Sequence, residues 1–300
     1  MTSTSAVVGA ARRAGLAIPS FNIPYLPMME PVIRAVADQD AFALVAVARL
    51  EWIKFESRSL TAVAAEFHRW ARPDHVRLHL DHVPVIDEDN KQVDYLPIFR
   101  EAIAQGYQSV MIDGSRLDLA GNIAATRAVA DLARAAAVPC EGELGAVLGH
   151  ESGPMPPYEE LFRSGRGFTR VDEARRFVRE TGCDWLSVAI GNIHGAISRA
   201  TKDQKKIEAR LDLEHLGKLA EATAIPLVLH GGSGLRREDV LAAIRRGIAK
   251  INIATDIRQP YEQAIRNSGS VTVAQDTVYD RTVYLIQEYF GYAGSRKRLV

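Results

Sequence analysis

Short apolar runs recur along the whole chain and alternate with longer stretches of mixed polarity. The runs are rich in β-branched residues and show no regular inward–outward alternation, which is typical of strands buried on both faces of a parallel sheet. The pattern predicts eight strands, at 17–23, 42–47, 76–80, 107–112, 138–141, 185–190, 226–229 and 250–254.

Amphipathic segments lie between these runs. Their apolar residues recur at a spacing of three to four, which predicts helices with one face toward a core. The predicted helices lie at 28–37, 60–70, 123–136, 171–180, 213–222 and 240–246.

The alternation of strands and helices predicts an α/β fold. Strand–helix–strand units imply parallel pairing with right-handed crossovers, and eight strands are the number that closes a (β/α)8 TIM barrel. A doubly wound open sheet is the alternative. The barrel is favoured because candidate site residues follow at least five different strands, whereas an open sheet concentrates its site at one switch point.

Two stretches interrupt the alternation. Residues 85–96 are polar and acidic, and residues 150–169 are rich in Gly, Pro and Arg. Both follow predicted strands, so both are candidate lids on the functional rim, and we expect the second to be disordered without ligand. Two extra C-terminal helices are predicted, at 257–267 and 272–290. We expect residues 1–300 to form a single domain, with these helices at the interface of a homodimer or homotetramer.

Composition limits the classes of partner. Lys plus Arg and Asp plus Glu both number 37, so no overall basic field attracts nucleic acid or an anionic membrane. The two cysteines, Cys140 and Cys183, form no CxxC pair, and the N-terminus lacks the long apolar stretch of a signal peptide or membrane span. We therefore expect a small-molecule partner, no nucleic acid, no membrane, and a cytoplasmic location.

Three histidines each follow a predicted strand within a few residues: His82, His194 and His230. Carboxyl ends of parallel strands meet at one rim, so the three rings are expected to converge. Neutral imidazoles suit zinc, and three protein ligands leave a coordination position open for substrate. A lone strand-end histidine is more often part of the core or rim, but three in this arrangement favour a catalytic metal site.

Six sequence blocks resemble the signature blocks of the class II, metal-dependent ketose-bisphosphate aldolases. They occur in the family's order and span most of the predicted barrel. They are LHLDH (78–82), SVMIDGS (109–115), EGELG (141–145), VAIGNIHG (188–195), LHGGSG (229–234) and KINIATD (250–256).

The resemblance implies a role for several of these residues. His82, His194 and His230 match zinc ligands, and Asp81 matches the acid/base at the carbon where the bond breaks; its alternative is a turn or capping carboxylate. Glu151 matches a loop carboxylate that moves the proton of the ketose-phosphate carbon, although a surface glutamate without a role is the alternative.

Asp113 and Glu143 match carboxylates that bind a second divalent or monovalent cation, or else hydrogen-bond a zinc-ligating histidine. The residues that match phosphate contacts follow several strands, as in many barrels. They are Gly195, Gly231, Gly232, Ser233, Asn252, Ile253, Ala254 and Thr255.

The implied reaction is the reversible cleavage of a ketose (bis)phosphate to dihydroxyacetone phosphate and an aldehyde through a zinc-stabilised enediolate. The chain departs from the family at the aldehyde end, where Arg49 and Arg199 replace the usual residues. Either arginine could bind an oxyanion of the aldehyde, or be a solvated rim residue. Fructose 1,6-bisphosphate is therefore only the default substrate.

Three other functions stay open at this point. A metal-dependent sugar-phosphate epimerase or isomerase would share the zinc and phosphate sites. A non-catalytic barrel subunit and a sugar-phosphate-binding sensor are the others, and fold alone cannot choose among them.

Overall fold

Eight parallel strands form a closed barrel in the computed structural model, which describes residues 2–145, 157–192, 209–232 and 235–300. Each strand pairs with the next along the chain, and the last pairs with the first. The TIM barrel predicted from the sequence is confirmed, and the open sheet is wrong. The strands are β1 (Ile18–Asn22), β2 (Ala43–Ala48), β3 (Val76–Pro84), β4 (Ser109–Asp113), β5 (Cys140–Leu144), β6 (Trp185–Val188), β7 (Leu227–Leu229) and β8 (Ile248–Ile253).

Helices surround the barrel and bury their apolar faces against it. The first eight are α1 (Thr4–Ala14), α2 (Met29–Asp38), α3 (Arg49–Lys54), α4 (Leu60–Trp70), α5 (Tyr95–Ala104), α6 (Leu119–Ala135), α7 (Tyr158–Ser164) and α8 (Val171–Thr181). They are followed by α9 (Leu213–Thr223), α10 (Arg237–Ile244), α11 (Thr255–Ser268) and α12 (Val271–Tyr284).

The N-terminal helix α1 was not predicted. Ser3 caps its first turn, and Val7, Val8 and Ala11 are fully buried. Arg77, at the start of β3, donates to the carbonyl of Thr2 just ahead of the helix. The helix therefore begins at the N-terminal end of the barrel and leaves the opposite rim open for a site.

The interruption at 85–96 is a short ordered turn. Ile86 and Gln92 form an antiparallel bridge, and the Asp87 carboxylate accepts from the backbone N–H groups of Asp89 and Lys91. The turn ends where α5 begins at Tyr95. Of the second predicted lid, residues 157–169 contain helix α7, so the expectation of disorder is wrong for that part; residues 150–156 lie outside the described residues.

Two C-terminal helices, α11 and α12, are present as predicted, and α12 continues into a π-helical turn, Leu285–Tyr289. Helix α12 packs against α2 as well as α11. Among the described residues, none of the helices combines the length and the apolar character needed to cross a bilayer.

Candidate active site at the carboxyl rim of the barrel

Strand β3 carries two site residues in a bulge. It runs to Pro84, four residues beyond its predicted end, and its pairing with β4 shifts register so that Asp81 and His82 together oppose only Met111. Neighbouring side chains of a regular strand point to opposite faces, whereas a bulge re-aims one of them. Ligand atoms of Asp81, His82 and His230 consequently all lie within 4.8 Å of one another.

The two described histidines of the predicted zinc set face each other. His230 directly follows β7, and its Nδ1 lies 2.7 Å from Nε2 of His82. The rings meet edge to face, with centroids 4.5 Å apart. His194, the third predicted ligand, lies outside the described residues.

Two carboxylates lie on the other side of the His82 ring. Nδ1 of His82 is 3.3 Å from Oδ2 of Asp113 and 3.6 Å from Oε2 of Glu143. Glu143 is buried, and its Oε2 has no hydrogen-bond partner among the described residues. The two carboxylates for which the sequence predicts a second cation or a contact to a histidine therefore converge on His82, with ligand atoms of all three residues within 4.8 Å of one another.

These contacts shift the pKa values of the site. Burial would lower the pKa of His82, but the carboxylates of Asp81 and Glu143 outweigh burial and raise it to about 10. Burial lowers the pKa of His230, and the charge of His82 lowers it further. Burial and the neighbouring Asp113 raise the pKa of Glu143 well above its usual range. The pKa values of the two histidines are therefore shifted in opposite directions, although the rings share one site.

The donor set fits a divalent metal ion. Two imidazole nitrogens converge on one point, two carboxylates lie beside them, and one buried carboxylate oxygen lacks a hydrogen bond among the described residues. Nitrogen and oxygen donors in this combination suit zinc.

Asp81 is held as a fixed anion. Its Oδ2 accepts from the side-chain amide of Asn22 at 2.9 Å, and its Oδ1 accepts from that of Asn252 at 2.7 Å. Burial alone would raise the pKa of Asp81, but the charge of His82 and the proximity of His79 hold it well below its usual range. A buried, ionised and oriented carboxylate beside a metal site is suited to take a proton from substrate.

Asn22 and Glu51 were not predicted as site residues. The Asn22 amide also lies 3.5 Å from Oε2 of Glu51, which accepts from the backbone N–H of Ala48 at 2.8 Å. Asn22 ends a buried strand, and an amide at that position was the signal available in the sequence.

The predicted phosphate end lies after β7 and β8. A Cβ at Gly232 would lie 2.6 Å from Cγ2 of Ile251 and 3.0 Å from the carbonyl of Asn252. Only glycine allows this approach, which brings the Gly231–Gly232 backbone against β8. Helix α11 begins at Thr255, immediately after β8, and no side chain among the described residues caps its first turn.

The predicted aldehyde-end residue Arg49 is held in place. It follows Ala48, which pairs with Asp81 across the β2–β3 ladder, and its guanidinium lies 3.5 Å from Oδ2 of Asp87. Its side chain is only 20% exposed, so it is not a freely solvated rim arginine. The remaining predicted site residues lie outside the described residues: Glu151, His194, Gly195, Arg199 and Ser233.

Comparison with known proteins gives a family and two similar structures. The sequence model of the family described as Fructose-bisphosphate aldolase class-II matches residues 2–293. The YdjI aldolase from Escherichia coli K12 is 26% identical, with a TM-score of 0.77 over 99% of this chain and 100% of that chain. A fructose-bisphosphate aldolase from Campylobacter jejuni, 18% identical, has a TM-score of 0.75 over 98% of this chain and 96% of that one, which shows the shared fold.

The family match decides among the functions that the sequence left open. It extends over nearly the whole chain, and the resemblance drawn from the six sequence blocks is confirmed. The epimerase or isomerase, the non-catalytic subunit and the binding protein are not favoured. The protein is a metal-dependent aldolase, a lyase with a sugar-phosphate substrate, and the chain belongs to the class-II fructose-bisphosphate aldolase family.

Proposed function

We propose that this enzyme uses zinc to cleave a ketose (bis)phosphate reversibly to dihydroxyacetone phosphate and an aldehyde. The observation that supports this most directly is the position of the Asp81 carboxylate beside the converging ring nitrogens of His82 and His230. In this arrangement a base at Asp81 and a metal ion at the two histidines would reach the same substrate.

The metal ligands of the proposal are His82, His194 and His230. Bound zinc supplies Lewis-acid polarisation of the substrate oxygens. Asp113 and Glu143 serve either a second cation or the orientation of the His82 ring; the 3.3 Å contact between His82 and Asp113 supports the second role.

Asp81 takes the proton of the substrate hydroxyl at the carbon where the bond breaks. As the carbon–carbon bond opens, the aldehyde leaves and the electron pair stays on the three-carbon fragment. Glu151 then delivers a proton to that carbon, and in the direction of synthesis both transfers reverse. The amides of Asn22 and Asn252 keep the Asp81 carboxylate in one orientation throughout.

The phosphate of the substrate lies in this proposal at the turn after β7 and the start of α11. The contacts are backbone N–H groups and a few side-chain donors, which suit an oxyanion at a helix N-terminus. They come from Gly195, Gly231, Gly232, Ser233, Asn252, Ile253, Ala254 and Thr255.

Arg49 is proposed to bind an oxyanion at the aldehyde end, with Arg199 as a second candidate. The ion pair with Asp87 supports this for Arg49, since it fixes the guanidinium next to the strand that carries Asp81. A planar guanidinium binds carboxylate, sulfonate and phosphate groups alike.

We also propose that residues 1–300 form one domain, that the enzyme is a homodimer or homotetramer through the C-terminal helices, and that it is cytoplasmic. The packing of α12 on both α2 and α11 supports the first point. The unpaired thiols of Cys140 and Cys183 support a reducing compartment.

The test is release of dihydroxyacetone phosphate. Zinc-loaded enzyme is incubated with a panel of ketose 1-phosphates and 1,6-bisphosphates, beside a chelator-treated sample. Asp81→Ala should lower kcat by about 10²- to 10⁴-fold. Asp172→Ala, which removes an exposed carboxylate paired with Arg170, is the matched control and should have no effect. Full activity in chelated enzyme or in Asp81→Ala would exclude the proposed roles.

A further inference from the structure

A charged pair lies inside the barrel beneath the histidine–carboxylate site. Lys250 of β8 and Glu141 of β5 are both fully buried, and Nζ of Lys250 donates to Oε2 of Glu141 at 2.8 Å. Strands β5 and β8 are not neighbours, so the pair spans the barrel interior. Apolar residues of similar volume are often as stable as a buried ion pair, so stability alone does not account for this one.

The second oxygen of Glu141 reaches a proposed metal ligand. Oε1 of Glu141 lies 2.9 Å from Nε2 of His230, while Nδ1 of the same ring faces His82. A neutral imidazole carries one N–H, and a carboxylate can only accept. The proton of the His230 ring therefore lies on Nε2, which leaves the lone pair of Nδ1 directed into the site.

The backbone of His230 is held separately. The side-chain amide of Asn192 donates to the carbonyl of His230 at 3.0 Å. Glu141 therefore acts on the orientation and the tautomer of the His230 ring. The ammonium of Lys250 holds the other oxygen of Glu141, and so it orients that carboxylate.

We propose that Lys250 and Glu141 are positioning residues, which together fix His230 in the tautomer and orientation that present Nδ1 to the metal. This inference rests on the proposed metal site at His82 and His230. Carboxylates behind metal-ligating histidines typically change metal affinity by about 10- to 100-fold when they are removed.

Glu141→Gln tests the tautomer directly. With Lys250 still present, the ammonium attracts the amide oxygen of Gln, so the amide NH₂ faces Nε2 of His230 and the ring proton moves to Nδ1. Nitrogen-15 NMR of the metal-free protein should show this change of tautomer, and competition with a chromogenic chelator should show zinc affinity about 10- to 100-fold weaker.

The double variant Glu141→Gln/Lys250→Met should reverse both effects. Without the ammonium, the amide oxygen of Gln is free to accept from Nε2, so His230 returns to its original tautomer and zinc affinity recovers toward that of the wild type. No buried charge is left unpaired in this variant, so it also tests the inference if a single variant fails to fold. If the substitutions only damaged the structure, the double variant would instead bind zinc more weakly than Glu141→Gln does.

Arg77→Met is the matched control. Arg77 is also a buried cation, but it lies at the opposite end of the barrel and donates to the carbonyls of Val76 and Thr2. Its loss should change neither the His230 tautomer nor zinc affinity. Wild-type tautomer and affinity in Glu141→Gln would overturn the inference. If the wild type itself binds no zinc, the proposed metal site fails, while the tautomer in metal-free protein still decides the positioning role.

Discussion

The orientation of Asp81 depends on two amide groups from opposite ends of the chain. Asn22 lies on β1 and Asn252 on β8, and each donates to one oxygen of the carboxylate. Hydrogen bonds to charged groups contribute about 1.5–3 kcal/mol. We expect Asn22→Ala to lower kcat by about 10- to 100-fold with little change in KM, because the base loses its orientation while the phosphate contacts stay.

A double-mutant cycle checks this assignment by steady-state kinetics. If Asn22 acts through Asp81, Asn22→Ala should have no further effect on an Asp81→Ala enzyme. If Asn22→Ala lowers kcat by the same factor in the presence and absence of Asp81, Asn22 acts on the substrate independently.

Glu51 predicts a dependence of stability on pH. Burial, and then the nearby Asp81 carboxylate, raise the pKa of Glu51 to about 8. In the unfolded chain the same carboxyl loses its proton near pH 4.3. Between these values the folded state holds one more proton than the unfolded state, so this residue makes the free energy of unfolding fall as pH rises, by about 5 kcal/mol in all.

Glu51→Gln removes this contribution, since the amide stays neutral at every pH and its oxygen can still accept from the N–H of Ala48. Urea unfolding between pH 5 and pH 9 should show the variant gaining stability relative to the wild type as pH rises. A constant difference between the two proteins across this range would mean that Glu51 is ionised in the folded state.

The chemistry of individual residues was predictable only in part. His82, Asp81, His230, Asp113 and Glu143 do converge, because each one lies toward the carboxyl end of a strand or directly after it, at the same rim. The supporting residues were not predicted because they do not lie at the ends of strands. Lys250 and Glu141 lie inside buried strands, two positions before Asn252 and Glu143, and side chains two apart in a strand share a face. That spacing was the available signal.

The turn after β7 gives a prediction at the scale of the element. Gly232→Ala would force its Cβ to 2.6 Å from Ile251, a buried residue of the adjacent strand. The turn or β8 must move, at a cost of about 1–3 kcal/mol in unfolding free energy. Because the same turn is proposed to hold the phosphate, KM for the ketose phosphate should also rise. Steady-state kinetics and thermal unfolding of the variant measure the two effects.

Gly217→Ala supplies the matched control. Gly217 lies within helix α9, and an added Cβ there meets no atom within 4 Å. Alanine in a helix interior should stabilise the enzyme by about 0.5–1 kcal/mol and leave KM unchanged. If Gly232→Ala behaves like this control, the close approach to β8 is not needed for binding.

At this scale the strands were predicted best, because continuous β-branched runs have few alternative structures. The helices that were missed are α1, α3, α5 and α7. Helix α3 is a single short segment at the rim, and α5 begins within the stretch that was assigned to a polar loop. The bulge in β3 could not be predicted, since it depends on the register with β4, which local sequence does not specify.

At the scale of the whole molecule, barrel closure assembles the site. Asn22, Asp81, Glu143 and His230 come from β1, β3, β5 and the end of β7, so the site exists only when the barrel is folded. A ligand that binds the folded state alone stabilises that state by mass action. Zinc binding and global stability are therefore expected to be coupled.

Zinc at a concentration 100 times its dissociation constant should raise the unfolding free energy by about 2.7 kcal/mol. Differential scanning calorimetry of chelated and zinc-loaded enzyme should show the corresponding rise in Tm. The rise should disappear in His230→Ala, which lacks a proposed ligand. It should persist in His68→Ala, whose exposed ring lies far from the site, beside Phe67 and the carbonyl of Gln105. A zinc-dependent rise that survives in His230→Ala would place the metal at another site, because only zinc bound to the folded enzyme raises its stability.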